Sequence, residues 1–160
     1  MIYEVRAGEL LISTDTGRLD LGVIHAFLRE AYWSPDVPLD TVRRAIEGSL
    51  AFGAYAGARQ VGFARVVSDR ATFAYLADVF VVEEFRRMGI GTRLIAAVLR
   101  HPELQGLRRW VLVTRDAQAL YRKHSFVPLA NAERWMVRLP DIAREGAPDT
   151  TTWTGSPRPQ

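Results

Sequence analysis

The sequence predicts a single α/β domain, built on a mixed, mostly antiparallel sheet with helices on both of its faces. Three observations predict it. Apolar residues recur at helical spacing up to Gly48 and at a spacing of two after it. Residues 73–82 form a long apolar run, as a central strand covered on both faces does. A further helical pattern follows a turn that carries two glycines, Gly89 and Gly91. With 160 residues the chain has length for one real core and is too short for two ordinary ones.

The elements follow in order. Residues 9–13 read as a short first strand. Leu21, Ile24, Leu28 and Tyr32 recur at helical spacing behind Asp20, a possible N-cap, and the helix ends at the turn Trp33-Ser34-Pro35-Asp36. A second helix covers residues 40–48, with Val42, Ala45 and Ile46 on one side and Gly48 as its stop. Leu50, Phe52 and Ala54 then alternate, Ala56-Gly57-Ala58 turns the chain, and Val61, Phe63, Arg65 and Val67 alternate again. After Ser68-Asp69-Arg70 comes the apolar run, so these three strands form an antiparallel meander. A helix with Leu94, Ile95, Val98 and Leu99 on one face is stopped by His101-Pro102. Residues 107–114 read as a strand, 117–123 as a short helix and 134–139 as a last strand. The domain is expected to span residues 1–139. From Pro140 on, four prolines and five threonine or serine residues read as a tail, 140–160.

Composition removes several classes of function. Hydrophobic residues make up 48% and charged residues 24%, which excludes general disorder. No apolar run approaches the roughly 20 residues of a membrane-spanning helix, and no signal peptide pattern opens the chain. There is no cysteine, hence no disulfide and no thiolate ligand or nucleophile. A cytoplasmic location is expected, with no membrane partner. The net charge is +3, and twenty of the 21 basic residues are arginine, Lys123 being the one lysine. They fall as scattered pairs with no basic tract, so no nucleic-acid partner is expected. His25, His101 and His124 lack metal-ligand spacing, so no metal is expected.

The chemistry sits at Arg86-x-x-Gly89-x-Gly91, between the central strand and the next helix. Glycines at a helix entrance let backbone N–H groups approach an anion closely, and the positive end of the helix dipole adds to the attraction. Arg86 and Arg87 bring mobile positive charge beside it. These are the parts of a pyrophosphate cradle. A dinucleotide fingerprint would need a third glycine where Leu94 stands, and a P-loop would need a lysine followed by serine or threonine. Neither pattern fits.

The pattern resembles the acyl-CoA loop of the GNAT superfamily of N-acetyltransferases, and the resemblance runs from about Leu10 to Leu139. A second signature agrees: Ala117-x-x-Leu120-Tyr121-x-Lys123-x-x-Phe126 is similar to the family's alanine, leucine-tyrosine, lysine, glycine-phenylalanine pattern. The order of elements agrees too. The resemblance implies acetyl-CoA as acyl donor and a splay between the fourth and fifth strands. It implies that the backbone of Val79, Phe80 and Val81 binds the pantetheine arm. The loop Arg86, Arg87, Met88, Gly89, Ile90, Gly91 and Thr92 would then hold the pyrophosphate. Tyr121 would be the general acid toward the leaving thiolate. Three departures stand out: Ser125 replaces the usual glycine, Thr114 stands where an asparagine is often found and would reach the cofactor with a shorter side chain, and Arg109 stands where some relatives carry a glutamate as base.

Asp78, Glu83, Glu84 or water is left to act as general base. On strand alternation Asp78 shares a face with Leu76 and Phe80, among apolar residues, where desolvation raises a carboxyl pKa. The resemblance implies acceptor recognition by the early helices and the loop between them, where Tyr32 and Trp33 lie. Tyr75 on the central strand completes the acceptor candidates. The expected function is transfer of acetyl to a primary amine of a small molecule or peptide, by direct attack in a ternary complex. The alternative is a non-catalytic acyl-CoA-binding or protein-interaction module on the same fold. Apolar residues at Trp135-Met136-Val137 on an edge strand point to a homodimer.

Overall fold

A computed structural model of the chain describes residues 1–139. Residues Met1–Val127 form one compact unit, and a second begins at Pro128. The first unit holds a six-stranded sheet in sequential order: β1 (Glu4–Ala7), β2 (Leu10–Ser13), β3 (Leu50–Ala56), β4 (Arg59–Ser68), β5 (Phe73–Val81) and β6 (Arg109–Val111). Every neighbouring pair is antiparallel except β5 and β6, which run parallel. Four helices complete it: α1 (Leu21–Leu28), α2 (Leu39–Glu47), α3 (Ile90–Leu99) and α4 (Gln118–Arg122). Among the described residues no helix is long and apolar enough to cross a membrane.

Helix α1 starts where its cap demands. The Asp20 carboxylate accepts from the Val23 N–H at 3.0 Å, a cap worth about 1 kcal/mol. Its backbone N–H in turn donates to the Gln60 side chain at 2.7 Å, which ties the helix start to the sheet. The helix stops four residues earlier than its apolar spacing predicts. The Leu28 carbonyl accepts from the Ser34 hydroxyl at 2.7 Å, and the Arg29 carbonyl from the Asp36 N–H at 2.9 Å. Asp36 lies at φ 54°, in the left-handed region. These bonds wrap the chain back over the helix end, so Tyr32 leaves the helical track.

Two cores cover the two faces of the sheet. On one, α3 places Leu94, Ile95 and Val98 against Phe52, Val61, Val66 and Leu76. On the other, Ile24, Leu28 and Val42 from α1 and α2 meet Ala51, Phe63 and Phe80.

Three sequence expectations change. The hairpin strand β1 is absent from the sequence reading. Its four residues carry a short, half-exposed alternation, and Tyr3–Thr14 backbone and side-chain bonds fix it. Residues 134–139 do not form a strand. Asn131, at φ 56°, opens a 3-10 turn over Ala132–Arg134, and residues 135–139 lie in no strand. Alternation alone makes no strand without a neighbour to pair with. Finally, Leu76, Asp78 and Phe80 do not share one face. Phe63 pairs with Phe80 and Arg65 with Ala77, so three steps on β5 oppose two on β4. That extra residue is a β-bulge, with Asp78 in it at φ 51°. Leu76 therefore packs toward α3 and Phe80 toward α1 and α2. The expected tail, 140–160, lies outside the described residues.

Candidate active site

Strand β5 pairs with β6 only from Phe73 to Tyr75, against Arg109 to Val111. From Leu76 to Val81 its edge on that side has no strand neighbour among the described residues. This is the expected splay, between β5 and β6 here because β1 adds one to the count. Val79, Phe80 and Val81 thus present backbone groups to an open groove of about 1410 Å³. An extended amide-bearing chain can pair with such an edge as a strand would.

At the end of β5 the chain passes a 3-10 turn, Glu83–Phe85, and enters α3 through two left-handed residues, Arg87 at φ 63° and Gly89 at φ 75°. Gly89 is the N-cap residue and has no side chain to cap with. The first N–H groups of α3 are therefore left for solvent or an anion. A Cβ at Gly89 would meet nothing within 4 Å, and one at Gly91 would make only ordinary contacts with Leu120 and Val81. The glycines leave room beside an uncapped helix end. Arg86 is anchored there by its Nε–H, which donates to the Val81 carbonyl at 3.1 Å. Arg86, Arg87, Gly89, Ile90, Gly91 and Thr92 all line the groove, while Met88 is exposed. A pyrophosphate fits this cradle.

Tyr121, on α4, is 8% exposed and packs in the α3-side core with its ring edge toward Phe126. Burial, with a further push from Tyr32, raises its phenol pKa to about 12. It lines the groove, as does Lys123 two residues on. Thr114, expected to reach the cofactor, lines the groove and accepts from the Ala117 N–H at 3.0 Å, at the start of α4.

The other side of the groove is aromatic. Phe27 stacks on Phe80 with ring centres 3.9 Å apart. Tyr32 and Trp33 meet edge to face at 5.0 Å, and Tyr75 lines the same space. The Tyr32 hydroxyl accepts from the Arg115 N–H at 2.9 Å, with the Arg115 guanidinium 3.9 Å over the Tyr32 ring. A clasp thus joins the loop after α1 to the loop after β6.

Asp78 lies within this aromatic side. The bulge turns it there, and both of its oxygens are engaged. Oδ1 accepts from the Trp33 indole N–H at 3.1 Å and Oδ2 from Arg65 Nε–H at 2.5 Å. Glu84 is drawn away to Arg59 at 2.6 Å, a bond that holds its carboxyl below the usual range. Tyr32, Trp33, Tyr75, Asp78 and Tyr121, singled out from the sequence, all line one groove, together with Arg65, Arg115 and Phe27, which the sequence reading did not single out. Arg65 left a signal: it is the one charge between Phe63 and Val67 in an alternating stretch of strand. Arg115 left none, because its contact with Tyr32 spans 83 residues. Among the described residues, no group of three or more histidine or acidic side chains is arranged to hold a metal ion.

The Acetyltransferase (GNAT) family model matches residues 21–126. A candidate acetyltransferase of Gibberella zeae is 31% identical over 140 residues, covering 73% of this chain and 78% of the other. The crystal structure of a candidate GNAT-family acetyltransferase from Xanthomonas campestris pv. campestris superposes with a TM-score of 0.81 at 47% identity, covering 84% of this chain and 96% of that one. A candidate acetyltransferase from Deinococcus radiodurans R1 shares the fold, with a TM-score of 0.64 at 19% identity over 91% of this chain and 99% of that one.

Proposed function

Since this chain belongs to the GNAT family of acetyltransferases, which use acetyl-CoA as co-substrate, we propose that it is an N-acetyltransferase acting on a primary amine within a ternary complex. One observation carries the reading. The open edge of β5, the uncapped start of α3 and the buried Tyr121 phenol converge on a single groove whose opposite side is aromatic.

The residues divide the work. Val79 to Val81 align the pantetheine arm, and Arg86 to Thr92 hold the pyrophosphate. Tyr32, Trp33 and Tyr75 flank the acceptor. The amine nitrogen attacks the thioester carbonyl carbon, the C–N bond forms and the C–S bond breaks. The departing sulfur takes the Tyr121 proton. A phenol pKa near 12 keeps that proton in place at neutral pH, so it moves only as charge builds on sulfur, and solvent restores it. The proton lost by nitrogen goes to a base. Asp78 lines this groove together with Glu30, Glu83 and Asp116, but both its oxygens already accept hydrogen bonds, so Glu83 or solvent is left to receive the proton. Holding the two reactants together supplies much of the rate.

Thiol release from acetyl-CoA with pooled amines, followed by mass spectrometry of the acetylated product, tests the reading. Saturable CoA binding without thiol release from any pool would make the chain a binding module instead. The reading includes a homodimer, because Trp135, Met136 and Val137 are exposed apolar residues of the second unit. A monomer mass by light scattering at micromolar concentration would end that part of it.

A further inference from the structure

Arg65 is out of place for its strand. It shares a β4 face with Phe63, a fully buried residue of the second core, and its side chain is only 19% exposed. An arginine placed there gives up much of its hydration, which needs compensation by partners. The structure supplies one: Nε–H donates to Asp78, whose side chain is 13% exposed. Guanidinium carries five N–H donors in a planar fork, and this bond uses one. Arg65 itself lines the groove, as do Asp78, Tyr75 and Trp33.

The pair also sets the charge seen by an incoming amine. With its two oxygens taken by Arg65 and Trp33, Asp78 is poorly placed to capture an ammonium group, which is the unreactive form of the acceptor. What remains to be recognised is the fork of Arg65. A planar, bidentate donor set is matched by a carboxylate. The bulge at Asp78 and the stacked Phe27–Phe80 pair bound that side of the groove.

Resting on the acetyltransferase reading above, we propose that the acceptor is an amine that carries a carboxylate, of the free amino-acid kind, with Arg65 holding the carboxylate. Asp78 and Trp33 then act as positioning residues: Asp78 fixes the plane of the fork, and Trp33 closes over it.

Calorimetric titration of the full chain, saturated with CoA, decides this independently of catalysis. The probes are a panel of free α-amino acids and the matching amines that lack the carboxylate. At least one amino acid should bind tenfold or more tighter than its matching amine. Arg65→Gln should abolish that difference while CoA affinity, the check on folding, stays unchanged, and Arg65→Lys should restore part of it. Equal binding of acids and matching amines, or a preference that survives in Arg65→Gln, overturns the proposal. Should Arg65→Gln fail to fold, a preference reduced but not abolished in Arg65→Lys, with CoA affinity intact, carries the same weight, and its full retention there counts against the proposal. Amino-acid binding with no thiol release would leave the carboxylate site standing and remove the acetyltransferase reading.

Discussion

The two faces of the sheet are built to different rules. The α3 face is filled with apolar side chains, mostly aliphatic with Phe52 among them, up to the ring of Tyr121, and its core is continuous. The α1–α2 face begins the same way, with Ile24, Leu28, Val42 and Phe63, and then its core stops. Beyond Phe80 come Asp78, Arg65, Trp33 and Tyr32, joined by hydrogen bonds and ring contacts. The leaving-group candidate is thus rooted in one face and the acceptor candidates in the other. Strand β5 lies between them and serves both, because its bulge changes which side its residues face. The lesson is that a sheet can present two reactants from opposite sides when one strand departs from regular alternation.

Four changes break or sharpen this contrast. The largest expected effect is on the α3 face. Tyr121→Phe keeps the ring and removes the proton, so kcat should fall about a hundredfold to ten-thousandfold while KM for acetyl-CoA stays nearly constant. Steady-state kinetics on an acceptor for which chemistry limits the rate checks this, and wild-type kcat would remove Tyr121 as the acid.

Next come matched truncations of the two cores. Leu94→Ala and Leu28→Ala should each cost about 2–5 kcal/mol in urea unfolding, since both leucines are buried. Only Leu28→Ala should also raise KM for the acceptor, because it loosens the helix end whose carbonyl holds Ser34. Equal acceptor KM in both variants would mean that the faces are not functionally divided.

Between the faces, Gly91→Val should weaken CoA binding about tenfold, or 1.4 kcal/mol, by filling the space beside the α3 start. Gly89→Val should weaken it further, because φ 75° is strained for a β-branched residue. Calorimetry showing unchanged CoA affinity in both would displace the pyrophosphate from this loop.

The smallest effect is a pH dependence on the α3 face. His101 is 2% exposed, lies edge-on to Tyr3 and Phe52, and its pKa is held below the ordinary value by burial. The unfolded chain therefore binds the proton first as pH falls. Stability from this group is complete above the unfolded value of about 6.5 and declines as pH falls from there toward the lower folded value. One proton contributes a slope of at most about 1.4 kcal/mol per pH unit. His101→Gln should flatten the decline in urea midpoint between about pH 8 and 5; an unchanged decline would assign it to other groups.

How much of this could be read from the chain alone follows from the range of each interaction. Asp20 as cap, Gly48 as stop and the Arg86–Gly91 loop are local patterns, and each appears where its residues predict. The meander was legible because apolar alternation and turn residues repeat within a few positions. The bulge at Asp78 was not, since an extra residue on one strand is defined only by the register of its neighbour. The Tyr32–Arg115 clasp and the Arg65–Asp78–Trp33 network were hidden for the same reason. They join residues 13 to 83 positions apart, and no local periodicity encodes such pairs. The last strand was over-read from alternation alone, which does not show which strand a segment pairs with.

Lys123, which lines the groove, has a chemical consequence beyond packing. It is the chain's one lysine beside twenty arginines, and lysine is the side chain that accepts acetyl groups. The protein's outer surface is thus nearly blank toward its own reagent. Acetylation of a lysine in this chain, whether enzymatic or by uncatalysed reaction with the thioester, can mark a single position, and that position lines the groove.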